Sequence, residues 1–115
     1  MPAPSDRERL QHIQEAITLI IEYTGQMDLD SFRQDYKTQL SVERLLEILG
    51  EAATHLSVEL KARYPDIPWR QITDLRNIVS HEYFRVRLEL IWDVATRDIP
   101  VLAEQIQGIV RELDE

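Results

Sequence analysis

Val42-Glu-Arg-Leu-Leu-Glu-Ile-Leu-Gly-Glu-Ala-Ala-Thr-His-Leu-Ser-Val-Glu-Leu60 decides the fold class. Val42, Leu45, Leu49, Ala52, Leu56 and Leu60 recur every three or four residues, the stripe of an amphipathic helix. The stripe predicts a long helix that Pro65 stops, because proline lacks the amide and its ring clashes with the preceding turn. Gly50, Ala52 and Ala53 leave a shaved patch where another helix can come close.

Working outward, the same period returns. Leu10, Ile13, Ile17 and Ile20 form one stripe, opened by a capping box at Ser5 and Glu8 and ending near Thr24–Gly25. Residues 26–36 are mixed, with a short helix predicted to start near Asp30 or Ser31. Tyr64-Pro-Asp-Ile-Pro-Trp-Arg70 reads as a rigid connector, since its two prolines fix φ and remove two donors. A shorter helix is predicted over Trp69–Tyr83. The last stripe runs through Leu88, Ile91, Ala95, Ile99, Leu102, Ile106, Ile109 and Leu113, with a kink or restart expected at Pro100. Four substantial helices with short joins and no strand pattern predict an all-α, antiparallel bundle of four to five helices. Several stripes run longer than one small core needs, which makes a homodimer face plausible.

Composition bounds the rest. A chain of 115 residues with 43% hydrophobic content fits one domain, residues 1–115, with a packed core. With no cysteine there is neither a disulfide nor a thiolate metal site, which suits a reducing compartment. No apolar run approaches the roughly 18 residues of a membrane span, and the opening residues lack a signal-peptide core. The expectation is a cytoplasmic protein with no membrane contact. The net charge of −8 argues against a general nucleic-acid binder. The charge is uneven, however: residues 61–87 carry +3, leaving −11 on the remainder. A local basic surface on an acidic body suits a brief encounter with a phosphodiester.

The chemistry concentrates in Leu75-Arg-Asn-Ile-Val-Ser-His-Glu-Tyr-Phe84. On an α-helical wheel Ile72, Leu75, Ile78 and Val79 fill one arc, while Arg76, Asn77, Ser80 and His81 fill the opposite one. An imidazole titrating near neutrality can take a proton from a ribose 2′-hydroxyl or give one to a leaving oxygen. A guanidinium can hold two phosphate oxygens and offset the charge that builds at phosphorus. Asn77, four residues before His81, can orient the ring or hold an oxygen. Arg76 and His81 stand about 140° apart on an ideal helix, so two copies across a two-fold axis could supply the geometry that one copy lacks. An arginine and a histidine five residues apart on a polar face are most often simply solvated, and the spacing alone is weak evidence.

Arg76, four intervening residues, His81, one residue and Tyr83 resemble the HEPN ribonuclease signature in its HepT-like form. Glu43-Arg-Leu-Leu-Glu-Ile-Leu-Gly-Glu-Ala52 resembles that family's third-helix segment. Pro65-Asp-Ile-Pro-Trp-Arg-Gln-Ile72 resembles its connector, and the similarity runs from about Arg9 to Leu102. The resemblance implies a homodimeric HEPN bundle that cleaves RNA at the subunit interface without a metal or other cofactor. It makes Arg76 and His81 the catalytic pair, with Asn77 and Ser80 auxiliary. It also implies a toxin–antitoxin pair, in which a minimal nucleotidyltransferase antitoxin, MntA-like, attaches AMP to the motif tyrosine. That residue is Tyr83.

Other readings compete. Glu51 with His55, and Glu8 with His12, have i,i+4 spacing that could share a metal, but each lacks a third ligand and reads better as a surface contact. Trp69 and Trp92 sit within apolar patterns and read as packing anchors. Glu43 and Glu51 lie on the helix with the shaved patch, where they can approach Arg76. The whole chain could instead be a non-catalytic dimeric adaptor for a nucleotidyltransferase, or a nucleotide-binding subunit using Arg76 and Arg85.

Overall fold

The computed structural model describes the backbone of residues 3–80 and 84–115 and the side chains of residues 3–78 and 87–115. Helix α1 covers Asp6–Thr24. Its N-cap is Ser5, whose hydroxyl oxygen accepts the Glu8 amide at 3.2 Å. The second half of the expected capping box differs: the Glu8 carboxylate accepts the Ser5 hydroxyl at 3.3 Å, not the Ser5 amide. Leu10, Ile13, Ile17 and Ile20 are buried as the stripe predicts.

Helix α2, Leu29–Gln34, starts at a complete capping box between Asp28 and Ser31. The two amide bonds this gives the Asp28 carboxylate and Ser31 hydroxyl are 2.8 and 3.0 Å. The Ser31 amide and hydroxyl hold the Asp28 carboxyl below the usual aspartate range. Buried Gln39 donates from Nε2 to the carbonyls of Phe32 (2.7 Å) and Arg33 (3.0 Å) at the end of α2, where the Phe32 carbonyl also accepts the Asp35 amide. Phe32 is fully buried against Trp92, with ring centroids 5.1 Å apart. Trp69 donates from its indole nitrogen to the Tyr64 carbonyl at 3.0 Å, so both tryptophans are packing anchors.

The long helix expected from Val42 to Pro65 is two helices. α3 covers Tyr36–Thr54 and α4 covers Val58–Arg63. The break follows from Ser57, whose hydroxyl caps α4 by accepting the Leu60 amide at 3.1 Å. The Ser57 amide and hydroxyl both donate to the Asp6 carboxylate at the start of α1. Leu56 and Leu60 stay buried on either side, so the stripe persists through the interruption.

The helix expected over Trp69–Tyr83 is also corrected. Helix α5 covers only Trp69–Asp74 and then tightens into a 3₁₀ turn, Leu75–Ser80. Asn77 kinks that turn, with φ −109° and ψ 19°. Helix α6, Phe84–Asp93, passes through a π segment, Val94–Asp98, into α7, Ile99–Asp114. The π segment is the form taken by the interruption expected at Pro100. The Ile99 amide bonds the Val94 carbonyl, five residues back. That wider turn accommodates a proline that has no amide for the usual partner.

The described residues are helices and their joins, with no strand. α1 packs on α3 and α7, and α3 packs in turn on α5 and the 3₁₀ turn. Ion pairing of Arg7 with Asp114 sets α1 antiparallel to α7, and the Asp6–Ser57 contact sets it antiparallel to α3. The core runs through all of these helices, including Ile13, Leu46, Leu49, Ile91, Ile99 and Ile106. No described helix is long and apolar enough to cross a membrane.

Candidate active site

Arg76 and Asn77 lie where α5 tightens into the 3₁₀ turn, and the shaved patch of α3 explains why the turn can lie there. A Cβ built on Gly50 would stand 2.5 Å from the Arg76 amide nitrogen, 3.0 Å from the Ile72 carbonyl oxygen and 3.1 Å from the Leu75 carbonyl carbon. All three are backbone atoms that cannot rotate aside. Glycine at position 50 therefore lets the chain at Arg76 seat directly on α3.

From that seat the Arg76 side chain projects along α3. Its Nη1 lies 3.4 Å from Thr54 Oγ1, which itself donates to the Gly50 carbonyl at 3.0 Å. The residue is exposed, as is Asn77. Leu75 is half-buried, and Ile72 and Ile78 are buried, so the apolar and polar sides read from the sequence hold at these positions. The wheel angle between Arg76 and His81 does not carry over, because it assumed unbroken α-helix through a kinked 3₁₀ turn. Asn77 faces elsewhere than Arg76: it lines a cleft of about 310 Å³ with Gln71, Leu75, Leu90 and Val94, between α5 and α6. Ser80 ends the 3₁₀ turn. His81 and Tyr83 lie outside the described residues, and so does the Ser80 side chain.

Glu43 lies two turns before Gly50 on the same side of α3. Its Oε2 pairs with Nε of Arg87 in the first turn of α6, at 3.1 Å. Both side chains are largely enclosed, Glu43 at 14% and Arg87 at 23% of full exposure. Burial pushes the Glu43 carboxyl above the usual glutamate range; the Arg87 guanidinium partly offsets this and Glu47 adds to it.

The histidine pairs behave differently. His55 Nε2 and Glu51 Oε1 are 2.9 Å apart with both side chains exposed, a surface contact. Glu8 and His12 are both exposed. Among the described residues no three His, Asp or Glu side chains gather closely enough to hold a metal.

Sequence reasoning missed Thr54 and Arg87. Thr54 could have been found from its position four residues after Gly50, on the side where a neighbour comes close. Arg87 lies outside the motif, and its partner became visible only when the chain folded. Chemically, the described part of the site offers an exposed guanidinium on a rigid backbone seat, an exposed amide on the next residue that faces a different cleft, and a partly buried charge pair farther along α3.

The family model for ribonuclease HepT-like proteins matches residues 13–109. The chain is 42% identical over 106 residues to a Methanocaldococcus jannaschii protein named "Gamma-glutamylcyclotransferase and putative RNase". That match covers 92% of this chain and 48% of the relative, so the chain spans about half of that protein. It is 40% identical over 105 residues to "Probable ribonuclease HepT" of Thermococcus cleftensis, covering 91% of this chain and 96% of that one. A second Methanocaldococcus jannaschii relative, named "Putative RNase", is 35% identical over 114 residues, with 99% and 94% covered. No solved structure matches. With most of its length matched by the family model and by full-length relatives, the chain belongs to the ribonuclease HepT-like family.

Proposed function

We propose that this protein is an endoribonuclease toxin, acting in the cytoplasm as a homodimer without a metal. The observation that carries the reading is the exposed Arg76 guanidinium on its Gly50 seat, within a chain of the HepT-like family. In the proposed reaction Arg76 holds the non-bridging oxygens of an RNA phosphate and offsets their growing charge. An imidazole of His81 removes the 2′-hydroxyl proton, the 2′-oxygen attacks phosphorus, and the bond to the 5′-oxygen breaks. A protonated His81 imidazole, from the second subunit, gives the leaving oxygen its proton. The products are a 2′,3′-cyclic phosphate and a 5′-hydroxyl. Asn77 and Ser80 act as auxiliaries, orienting the ring or a phosphate oxygen.

The proposed control is adenylylation of Tyr83 by a nucleotidyltransferase antitoxin of the MntA-like kind. AMP attached two residues from His81 brings a bulky anion to the place a substrate phosphate should take. The test is co-expression with a neighbouring nucleotidyltransferase reading frame, followed by intact-mass measurement. A gain in AMP units mapped to Tyr83, together with relief of growth arrest, is expected. A harmless wild-type chain that still binds the nucleotidyltransferase after His81→Ala would favour the adaptor reading and count against the toxin.

A further inference from the structure

Beside the seat of Arg76, α1 and α3 enclose a second cleft, of about 250 Å³. Arg9 lines it from α1, and Arg44, Glu47, Ile48, Glu51 and Ala52 line it from α3. Glu51 lies three residues before Thr54, which is about 4.5 Å along the helix axis and about 60° around it. Thr54 Oγ1 is the atom that Arg76 Nη1 approaches at 3.4 Å. A phosphate held by Arg76 therefore has this cleft within reach of an adjoining nucleotide.

The cleft contains an arginine with spare capacity. Arg9 is half-buried, and among the described residues its enclosed Nε finds no hydrogen-bond acceptor. A buried donor left unpaired is costly, and in a native chain it calls for an explanation. The carboxylates lining the same cleft are engaged elsewhere: Glu47 pairs with Arg44 at 3.4 Å, and Glu51 with His55 at 2.9 Å. Enclosure at Nε also restrains the guanidinium fork, the state in which arginine reads a planar ligand best.

The lining selects the ligand. The formal charges of the two arginines and two glutamates cancel, and the carboxylates would repel a bare phosphate. What fits is a planar group with an apolar face, adjacent acceptors for a guanidinium and adjacent donors for a carboxylate. Ile48, 39% exposed, and Ala52 supply the apolar surface. Guanine presents O6 and N7 as adjacent acceptors, which arginine meets with two bonds. It also presents N1–H and the N2 amino group as adjacent donors, which one carboxylate can accept together. None of adenine, cytosine and uracil has both edges. The volume lies below the roughly 300–1,000 Å³ of sites for drug-sized ligands, in scale with a single base.

We infer that the α1–α3 cleft is a subsite for a guanine base of the RNA, next to the phosphate held by Arg76. Arg9 donates to O6 and N7, and Glu51 accepts from N1 and N2. Glu51 can change partner because its pair with His55 is exposed and weak. The place of the subsite in cleavage rests on the ribonuclease reading; its affinity for the base does not.

The experiment follows nucleotide binding to the intact protein by backbone amide shifts, with guanosine, inosine, adenosine, cytidine and uridine monophosphates as probes. The guanosine nucleotide should bind about tenfold or more tighter than those of adenosine, cytidine and uridine, the discrimination of one two-bond contact. Its shifts should centre on residues 9–12 and 47–52. The inosine nucleotide, which lacks the N2 amino group, should fall between. Arg9→Met and Glu51→Gln should each remove the preference, and the exposed position of Glu51 keeps the test open if Arg9→Met does not fold. Cleavage gives a second readout. Wild type should cut a bond beside guanosine with a kcat/KM about tenfold or more above that for the same RNA carrying adenosine there. Both variants should lose that ratio while still cutting the adenosine RNA. No guanosine preference in binding, shifts centred elsewhere, or a preference unchanged in the folded variants would each overturn the inference. Guanosine-selective binding without any RNA cleavage would sink the ribonuclease reading and leave the base site standing. Cleavage indifferent to guanosine would do the reverse.

Discussion

Gly50 sets two opposing effects against each other. Replacing a helical glycine by alanine ordinarily gains about 1 kcal/mol of helix propensity. Here the added methyl would meet the Arg76 nitrogen at 2.5 Å, and overpacking against fixed atoms costs about 1–3 kcal/mol or more. Gly50→Ala is therefore expected to lower the urea midpoint, with a net loss of up to about 2 kcal/mol, and to slow cleavage by moving Arg76. An unchanged or raised midpoint would mean the contact is looser than described. The sequence showed the shaved patch but not its partner, because a small residue announces a close approach without naming what approaches. Titration adds a second expectation. The folded pKa of Glu43 is raised, so the native state binds the extra proton and this contribution is lost as pH rises through the raised value. Relative to Glu43→Gln, wild type should thus gain stability on acidification through the window just above the ordinary glutamate pKa. The caps behave oppositely. Asp28 and Asp35 are depressed by the backbone and side-chain donors of Ser31 and Thr38, and their contribution is lost as pH falls through those lowered values. Chemical denaturation across pH, for wild type and each Asn or Gln variant, separates the two limbs.

Among the elements, the break between α3 and α4 depends on one side chain. Ser57 caps α4 and donates both bonds to the Asp6 carboxylate. Ser57→Ala should cost about 1–2 kcal/mol, the range for a lost N-cap, read as a lower denaturation midpoint with the helical signal mostly retained. Asp6→Ala should fall in the same range and add little to Ser57→Ala, since the two share one interaction. A fully additive double variant would contradict that coupling. The break was hidden in the sequence because Leu56 and Leu60 keep helical spacing across it, and tertiary contact with Asp6 decides the matter. Pro100 was legible because proline acts through its own ring and missing amide; the π form of the interruption was not. The 3₁₀ turn escaped for a related reason. Ile72, Leu75 and Ile78 are spaced by three, which serves a 3₁₀ turn as well as an α-helix, and the close seat on Gly50 is a property of the folded pair.

For the whole molecule, an acidic body with a basic stretch at residues 61–87 must meet RNA through few phosphate contacts. Cleavage should therefore depend weakly on salt. For one or two contacts, the log–log slope of RNA affinity should be about −1, since each phosphate contact on a single strand contributes about −0.7. A slope near −5 would mean a far more extensive basic track than residues 61–87 supply. The proposed dimer makes its own demand: sedimentation should give twice the 13.5 kDa chain mass, and specific activity should fall on dilution below the dimer's dissociation constant. The most direct test is cleavage of a purified RNA in the presence of EDTA by wild type, Arg76→Ala and His81→Ala, each verified as folded. Wild type should yield 2′,3′-cyclic phosphate ends, and each variant should be slower by at least about 100-fold, the usual range for losing an acid–base or charge-stabilising group. Equal rates for all three proteins, or no cleavage by wild type, would contradict the account.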